Sequence, residues 1–319
     1  MAGISGQGTT FNLPNFVGEL FLITPSDTPL LSAIGGLTGG KEVSAKIFEW
    51  EFYDLRAASS TRQGLEGANA PTPEGRVRAY GHNVLEIHQE AVEVSYTKQG
   101  ATSQLSSAVL TQGTNPVTNE MAFQTEASLK QIARDVELGF LTGTMTEPSD
   151  NSSPRKTGGL TTSIVTNVVD LGGGDLTVAA VLDAMDLAWQ NGGLMEGETR
   201  TIITNSRLKR ALTTLFIKDQ NFRQMDRNVG GVNLTTIETD FGDLNIMLDR
   251  YMPLDQMLLV SLEDLSPVFL LIPGKGHLFV EPLAKVGAAD RAQIYGEIGL
   301  DYGNERKHAL IKNASGSIS

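Results

Sequence analysis

Apolar and polar residues alternate along two stretches of the first third of the chain, Val43–Phe52 and Asn83–Tyr96. A period of two belongs to strands with one covered face, so the pattern predicts the two legs of a long hairpin. Between them, Arg56–Gly81 contains Gly64, Gly67, Pro71, Pro73 and Gly75 and few large apolar side chains, which predicts a loop at the hairpin tip. Loops of that length inside compact domains usually have a binding role. Upstream, Met1–Gly40 is polar and glycine-rich, with Thr24-Pro25 and Thr28-Pro29 steps that favour extended backbone before each proline. It reads as an extended arm with a short apolar anchor at Leu30, Leu31 and Ile34. A two-stranded hairpin is marginal alone. Arm and hairpin therefore predict packing onto neighbouring copies of the chain.

The period then changes. Over Thr118–Thr142, Leu129, Ile132, Ala133, Val136 and Phe140 recur at steps of three and four, which predicts a long amphipathic helix ended by Gly143. Glu126 stands four residues before Lys130, the favourable order for a surface ion pair. A second helix is predicted from Thr177 as N-cap, carrying Val178, Val181, Leu182, Met185 and Trp189 and closing at Gly192-Gly193. A third carries Leu208, Ala211, Leu212 and Leu215 and is capped by Asn205 or Ser206. Strands are predicted at Thr201–Thr204, Asp243–Leu248, Gln256–Leu262 and Val268–Ile272, and alternation returns over His277–Ile311. The class is α+β, and no internal repeat occurs at a fixed period.

Composition narrows the chemistry. With 319 residues the chain has room for two domains. A net charge of −12 disfavours a protein that grips nucleic acid through its phosphates. There is no cysteine, which excludes disulfides, thiolate nucleophiles and cysteine-based metal sites. No basic residue precedes Lys41 and no apolar run approaches the ~18 residues of a membrane span, so a soluble cytoplasmic product without membrane contact is expected.

Several motifs invite a catalytic reading, and the residues argue against each. Gly35–Lys41 fits the G-x-x-x-x-G-K spacing of a phosphate-cradling loop, but Glu42 replaces the hydroxyl residue that such loops place next, and a strand pattern follows instead of a helix. A nucleotide-binding α/β enzyme is thus the weaker alternative, and Gly35–Gly40 reads as a flexible joint. His82, His88, His277 and His308 have no metal-ligand spacing, there is no G-x-S-x-G elbow, and Asp183 with Asp186 reads as a solvated helix face. No catalytic residue, cofactor or metal is expected. Arg56, Arg62, Arg76 and Arg78 crowd the hairpin tip of an acidic chain, and guanidinium forks suit carboxylates, so these four are expected to meet other copies.

The order of features resembles the major capsid proteins of tailed bacteriophages with the Hong Kong 97-type fold, in particular the SU10-like family. The residues that carry the resemblance run from Thr28-Pro29-Leu30-Leu31-Ser32-Ala33-Ile34-Gly35 through Phe48-Glu49-Trp50 and Glu66-Gly67 to Val92-Glu93-Val94-Ser95. They continue with Arg134-Asp135-Val136-Glu137, Gly158-Gly159-Leu160, Thr204-Asn205 and Tyr295-Gly296-Glu297. The resemblance implies an N-terminal arm over 1–40, an extended hairpin loop over 41–96 and a peripheral domain with a spine helix over 97–158. An axial domain over 159–273 follows, and strands return to the peripheral domain over 274–319. It implies self-assembly into pentamers and hexamers of an icosahedral shell enclosing double-stranded DNA without sequence-specific binding, with Leu30, Leu31 and Trp50 joining the four arginines at subunit contacts. A separate scaffolding protein, a portal and a decoration protein are the implied partners, and a virion capsid assembled in the host cytoplasm the implied location. An encapsulin-like nanocompartment shell of the same fold is the other reading. Relatives that weld their shells do so from a lysine in the extended loop. No lysine occurs here between Lys46 and Lys98, so no such crosslink is expected.

Overall fold

A computed structural model describes residues 23–100, 117, 119–197, 199–219 and 236–315. The first 22 residues of the expected arm lie outside the described residues. The first element is a helical turn, α1 (Pro29–Ala33), with Leu30 and Leu31 buried. Proline at the first helical position already has the right φ and no N–H to lose, so Thr28-Pro29 opens a helix where the sequence predicts extended chain. The strand expected over Val43–Phe52 is two strands, β1 (Lys41–Val43) and β2 (Ile47–Tyr53), separated at Ser44-Ala45-Lys46.

β2 pairs antiparallel with β3 (Arg78–Val84), placing Ile47 opposite Val84 and Tyr53 opposite Arg78. The return leg of the hairpin therefore comes from the end of the predicted loop. The stretch expected to form that leg is mostly a separate strand, β4 (Glu86–Ser95), which pairs elsewhere. The physical reason lies in burial. Arg78, Ala79 and Tyr80 of β3 are exposed, so no covered face imposes the alternation that reveals a strand.

The remaining elements follow as α2 (Tyr96–Gly100), α3 (Glu120–Thr142), α4 (Leu160–Ser163), β5 (Val168–Asp170), α5 (Val178–Gln190), β6 (Arg200–Thr204) and α6 (Ser206–Asp219). Then come β7 (Thr236–Thr239), β8 (Gly242–Leu248), β9 (Met257–Ser261), β10 (Ser266–Leu270), β11 (Leu278–Pro282), β12 (Ala289–Asp301) and β13 (Ala309–Lys312). Caps explain the helix starts. Asn119 Oδ1 accepts from Ala122 N–H before α3, Thr177 Oγ1 from Ala180 N–H before α5, and Asn205 Oδ1 from the N–H groups of Arg207 and Leu208 before α6. Among the described residues no helix is long and apolar enough to cross a membrane.

Two compact units are distinguished. The larger, residues 28–88, 133–278 and 296–315 as far as they are described, holds a six-stranded sheet of order β5-β13-β9-β6-β8-β7. β6 runs parallel to β8 and antiparallel to β9, and β13 parallel to β5 and antiparallel to β9. Met185 of α5 and Leu212 of α6 pack with Ile202, Leu244, Leu259 and Ile311 in its core. β1 and β10 are also in this unit, paired in parallel with Lys41 opposite Val268, and β10 is antiparallel to the C-terminal part of β12. The smaller unit, described over residues 23–27, 89–100, 117, 119–132 and 279–295, is tied by polar contacts. Arg291 pairs with Glu93 at 2.6 Å, Lys285 with Asp290 at 2.8 Å, and Gln99 Nε2 donates to Asp290 at 3.1 Å.

Candidate functional site

Every residue from Glu51 to Tyr80 is exposed, although the stretch includes Phe52, Tyr53, Leu55, Leu65, Val77 and Tyr80. Leu65 and Val77 are each 86% exposed. Three of the four arginines named from the sequence have partners within the hairpin itself. Arg62 reaches Glu74 at 2.8 Å, Arg76 reaches the other oxygen of Glu74 at 3.5 Å, and Arg78 reaches Glu51 diagonally across the strands at 2.7 Å. The hydrogen bond from Arg62, aided by the charge of Arg76, holds the Glu74 carboxyl below the usual carboxylate range. Arg56 donates to the carbonyl of Ala57 at 3.0 Å. Over Asp54–Val77, Arg56, Arg62 and Arg76 balance Asp54, Glu66 and Glu74, so the loop is neutral in a chain of −12.

The root of the hairpin is built differently. Phe48, Leu85 and Val268 form a small core with Trp50 packed against it. The Trp50 indole meets Tyr302 edge-on, ring centroids 4.9 Å apart at 81°. Its Nε1 is buried with no hydrogen-bond acceptor among the described residues. Where β3 meets β4, the buried amide of Asn83 donates to the carbonyls of Leu300 at 2.7 Å and Gly158 at 3.1 Å and accepts from Gly158 N–H at 2.8 Å. Arg155 pairs with Glu297 at 2.8 Å, with little of either side chain exposed.

Leu30 and Leu31, named as contact residues, are 0% and 2% exposed, so this chain already covers them. Their backbone N–H groups donate to the two carboxyl oxygens of Glu137 on α3, at 2.8 and 2.7 Å. Glu137 is fully buried and also hydrogen-bonds Asp249. Burial, and then the hydrogen bond and charge of Asp249, push its carboxyl up to about 8 against the pull of the two N–H groups. Arg134, one turn earlier, donates from Nε to the Tyr251 hydroxyl at 2.8 Å. Neither Asn83 nor Glu137 is among the contact residues expected from the sequence. Glu137 did leave a signal, a carboxylate in the apolar row between Ile132 and Phe140 of the long helix.

The phosphate-loop spacing does not build a phosphate cradle. Lys41 begins a strand and its ammonium pairs with Asp301 at 2.6 Å. Gly40, at φ +142°, lies so close to β10 that a Cβ would stand 2.3 Å from the Pro267 carbonyl. The histidines stand apart in separate settings: His88 pairs with Glu86, His277 pairs with Glu42 and stacks on Phe269, and His308 is buried.

Residues 3–315 match the family model described as SU10 major capsid protein. Solved structures are similar over nearly the whole chain. The capsid of a native GTA particle has a TM-score of 0.66 at 14% identity, covering 97% of this chain and 97% of that one. The cyanophage A-1(L) capsid has 0.64 at 12%, covering 97% and 98%. The holo-SrpI encapsulin of Synechococcus elongatus PCC 7942 has 0.56 at 12%, covering 96% and 93%. At such identities the likeness is one of fold, the Hong Kong 97-type capsid fold, which phage capsids and encapsulins share. No curated protein sequence matches the chain. The near-complete family match is specific to phage capsids, and the chain belongs to the SU10 major capsid protein family, whose work is to build a shell and not to catalyse a reaction.

Proposed function

We propose that this capsid protein closes into the pentamers and hexamers of an icosahedral shell around double-stranded DNA, and that the β2–β3 hairpin is the limb by which each subunit holds its neighbour. One observation carries the reading: among the described residues nothing supports the hairpin beyond Phe48 and Trp50, yet it carries six large apolar or aromatic side chains that are exposed. Monomeric proteins seldom leave such a surface uncovered. In a closed ring the same modest contact repeats at high effective concentration and accumulates into a stable assembly.

In this reading residues 1–40 are the arm, 41–96 the extended loop, 97–158 the peripheral domain with α3 as spine helix, 159–273 the axial domain, and 274–319 the returning strands. Arg62, Arg76 and Arg78 keep the hairpin in shape through Glu74 and Glu51, while Leu55, Leu65, Val77 and Arg56 face the neighbour. Leu30 and Leu31 act indirectly, by seating the arm, and Trp50 by aiming the hairpin. Assembly takes place in the host cytoplasm with a separate scaffolding protein, a portal and, where the shell carries one, a decoration protein. The acidic chain encloses DNA without gripping it. The absence of lysine between Lys46 and Lys98 leaves the hairpin beyond Lys46 without an amine for a covalent weld.

The test is negative-stain imaging of the chain co-expressed with its neighbouring open reading frames, with and without the pair Leu65→Ser and Val77→Ser. Wild-type chains should give closed particles, rings or tubes, and the double variant should stay as dispersed subunits with an unchanged Tm. Shells of normal yield from the double variant would overturn the role given to the hairpin.

A further inference from the structure

We infer that Glu137 is a proton-operated clamp, holding α1 to α3 while it shares a proton with Asp249 and releasing α1 when the proton is lost. The clamp is a matter of geometry. α1 is five residues long, and a helix that short does not hold itself together in water. Its N-cap, Thr28, makes no side-chain cap, and the N–H groups of Leu30 and Leu31 go instead to a carboxyl more than a hundred positions away in sequence. One buried side chain thus satisfies two successive backbone donors that would otherwise be orphaned.

That side chain does not face the donors alone. Asp249, also fully buried and placed just after β8, hydrogen-bonds it, and Asp249 Oδ1 in turn accepts from Tyr251 N–H at 2.8 Å. Arg134 on α3 is engaged with the Tyr251 hydroxyl, Arg250 is exposed, and α1 itself has no ionisable side chain. Two buried carboxyls in contact hold one proton between them, because both cannot be ionised at that distance out of water. With the proton in place, Glu137 has one O–H for Asp249 and lone pairs for both N–H groups. Once the proton leaves as H⁺ to solvent, two carboxylates face each other. Hydrating them requires the node to open, and α1 is its smallest and least anchored part. An open carboxyl gives up its proton near the ordinary 4.5 while the closed node keeps its own to about 8, so opening is increasingly favoured as pH rises between those limits.

The experiment is hydrogen–deuterium exchange of the full-length chain between pH 5 and 9.5, read on peptides spanning Leu30-Leu31 and corrected for the intrinsic exchange rate. In the wild type, protection should fall roughly tenfold per pH unit from about pH 5 to about pH 8, the slope of a one-proton release, and level off above pH 8, where the closed node has lost its proton too, while peptides from β6 and β9 keep theirs. Glu137→Gln cannot ionise, and Asp249→Asn removes the facing charge, so α1 should stay protected at high pH in both. A flat wild-type profile overturns the clamp whatever the variants do. So does a decline in either folded variant that matches the wild type.

Discussion

The indole of Trp50 lies across Gly81, its cross-strand partner in the hairpin, so closely that a Cβ on Gly81 would stand 2.7 Å from both Cε2 and Nε1 of the ring. The indole also makes a T-shaped contact with Tyr302. A glycine on β3 thus lets an aromatic on β2 lie down, and the ring turns the exposed limb to a fixed angle at its root. Gly81→Val should force the ring off its seat and cost about 1–3 kcal/mol, the usual range for overpacking. The readout is the urea midpoint followed by Trp50 fluorescence in a Trp189→Phe background, since these are the only two tryptophans. An unchanged midpoint and emission maximum would show that the indole does not set the root.

Asn83 supplies a second hinge-point test. Its amide satisfies the carbonyls of Leu300 and Gly158 and the N–H of Gly158, all buried. Each orphaned group costs about 1–3 kcal/mol, so Asn83→Ala should lower subunit stability by at least that much in equilibrium urea unfolding. Asn83→Asp should be worse than Ala at neutral pH, because it turns a carboxylate toward the two carbonyls. If Asp proved the milder change, Asn83 would not be acting as the donor.

These two residues also mark the limit of what could be read from sequence. The long helix and the α5 and α6 caps were legible from an apolar stripe and local capping residues, and strands β6, β8, β9 and β10 from short apolar runs, buried at every position in β9 and at all but the first in β6. The hairpin was legible only in part. β2 alternates because its root is covered by Val268 and Leu85, but β3 has few buried partners until Asn83, and its pairing with β2 spans a long loop. α1 was hidden for a related reason. Thr28-Pro29 favours extended chain locally, and the acceptor that settles the matter is Glu137, distant in sequence. The tip arginines stand out in the sequence, but their pairing with Glu74 and Glu51 does not, since nothing in a loop sequence pairs Arg62 with Glu74 ahead of a carboxylate on another copy.

The tip arginines give a contrast that separates folding from contact. Arg62, Arg76 and Arg78 pair within the hairpin in exposed positions, and exposed pairs contribute little to stability. Replacing any one of them by alanine should leave Tm unchanged within error and shift shell yield only modestly. Arg56→Glu, in the one tip arginine left over from these pairs, should reduce yield more strongly. Sedimentation of assembled against free subunits measures this, and equal losses at all four positions would contradict the division of roles.

His308 yields a pH dependence whose sign can be worked out. It is fully buried, Nδ1 accepting from Ser261 N–H at 3.3 Å and Nε2 donating to the Tyr302 carbonyl at 3.0 Å. Burial above all holds its pKa below the ordinary 6.5, so the folded chain keeps the ring neutral. Below pH 6.5 the unfolded chain binds a proton that the folded chain does not, and the stability contributed by His308 is lost as pH falls. His308→Gln cannot take up that proton. At pH 8 the variant should be less stable than wild type by about 1–3 kcal/mol through its disturbed hydrogen bonds. Below pH 6.5 that gap should narrow by about 1.4 kcal/mol per pH unit until the folded ring itself protonates. Comparing the two chains at each pH cancels the opposite slope of Glu137, which both retain. A gap that stays constant from pH 8 to pH 5 would mean that the buried imidazole is protonated as readily in the folded subunit as in the unfolded one.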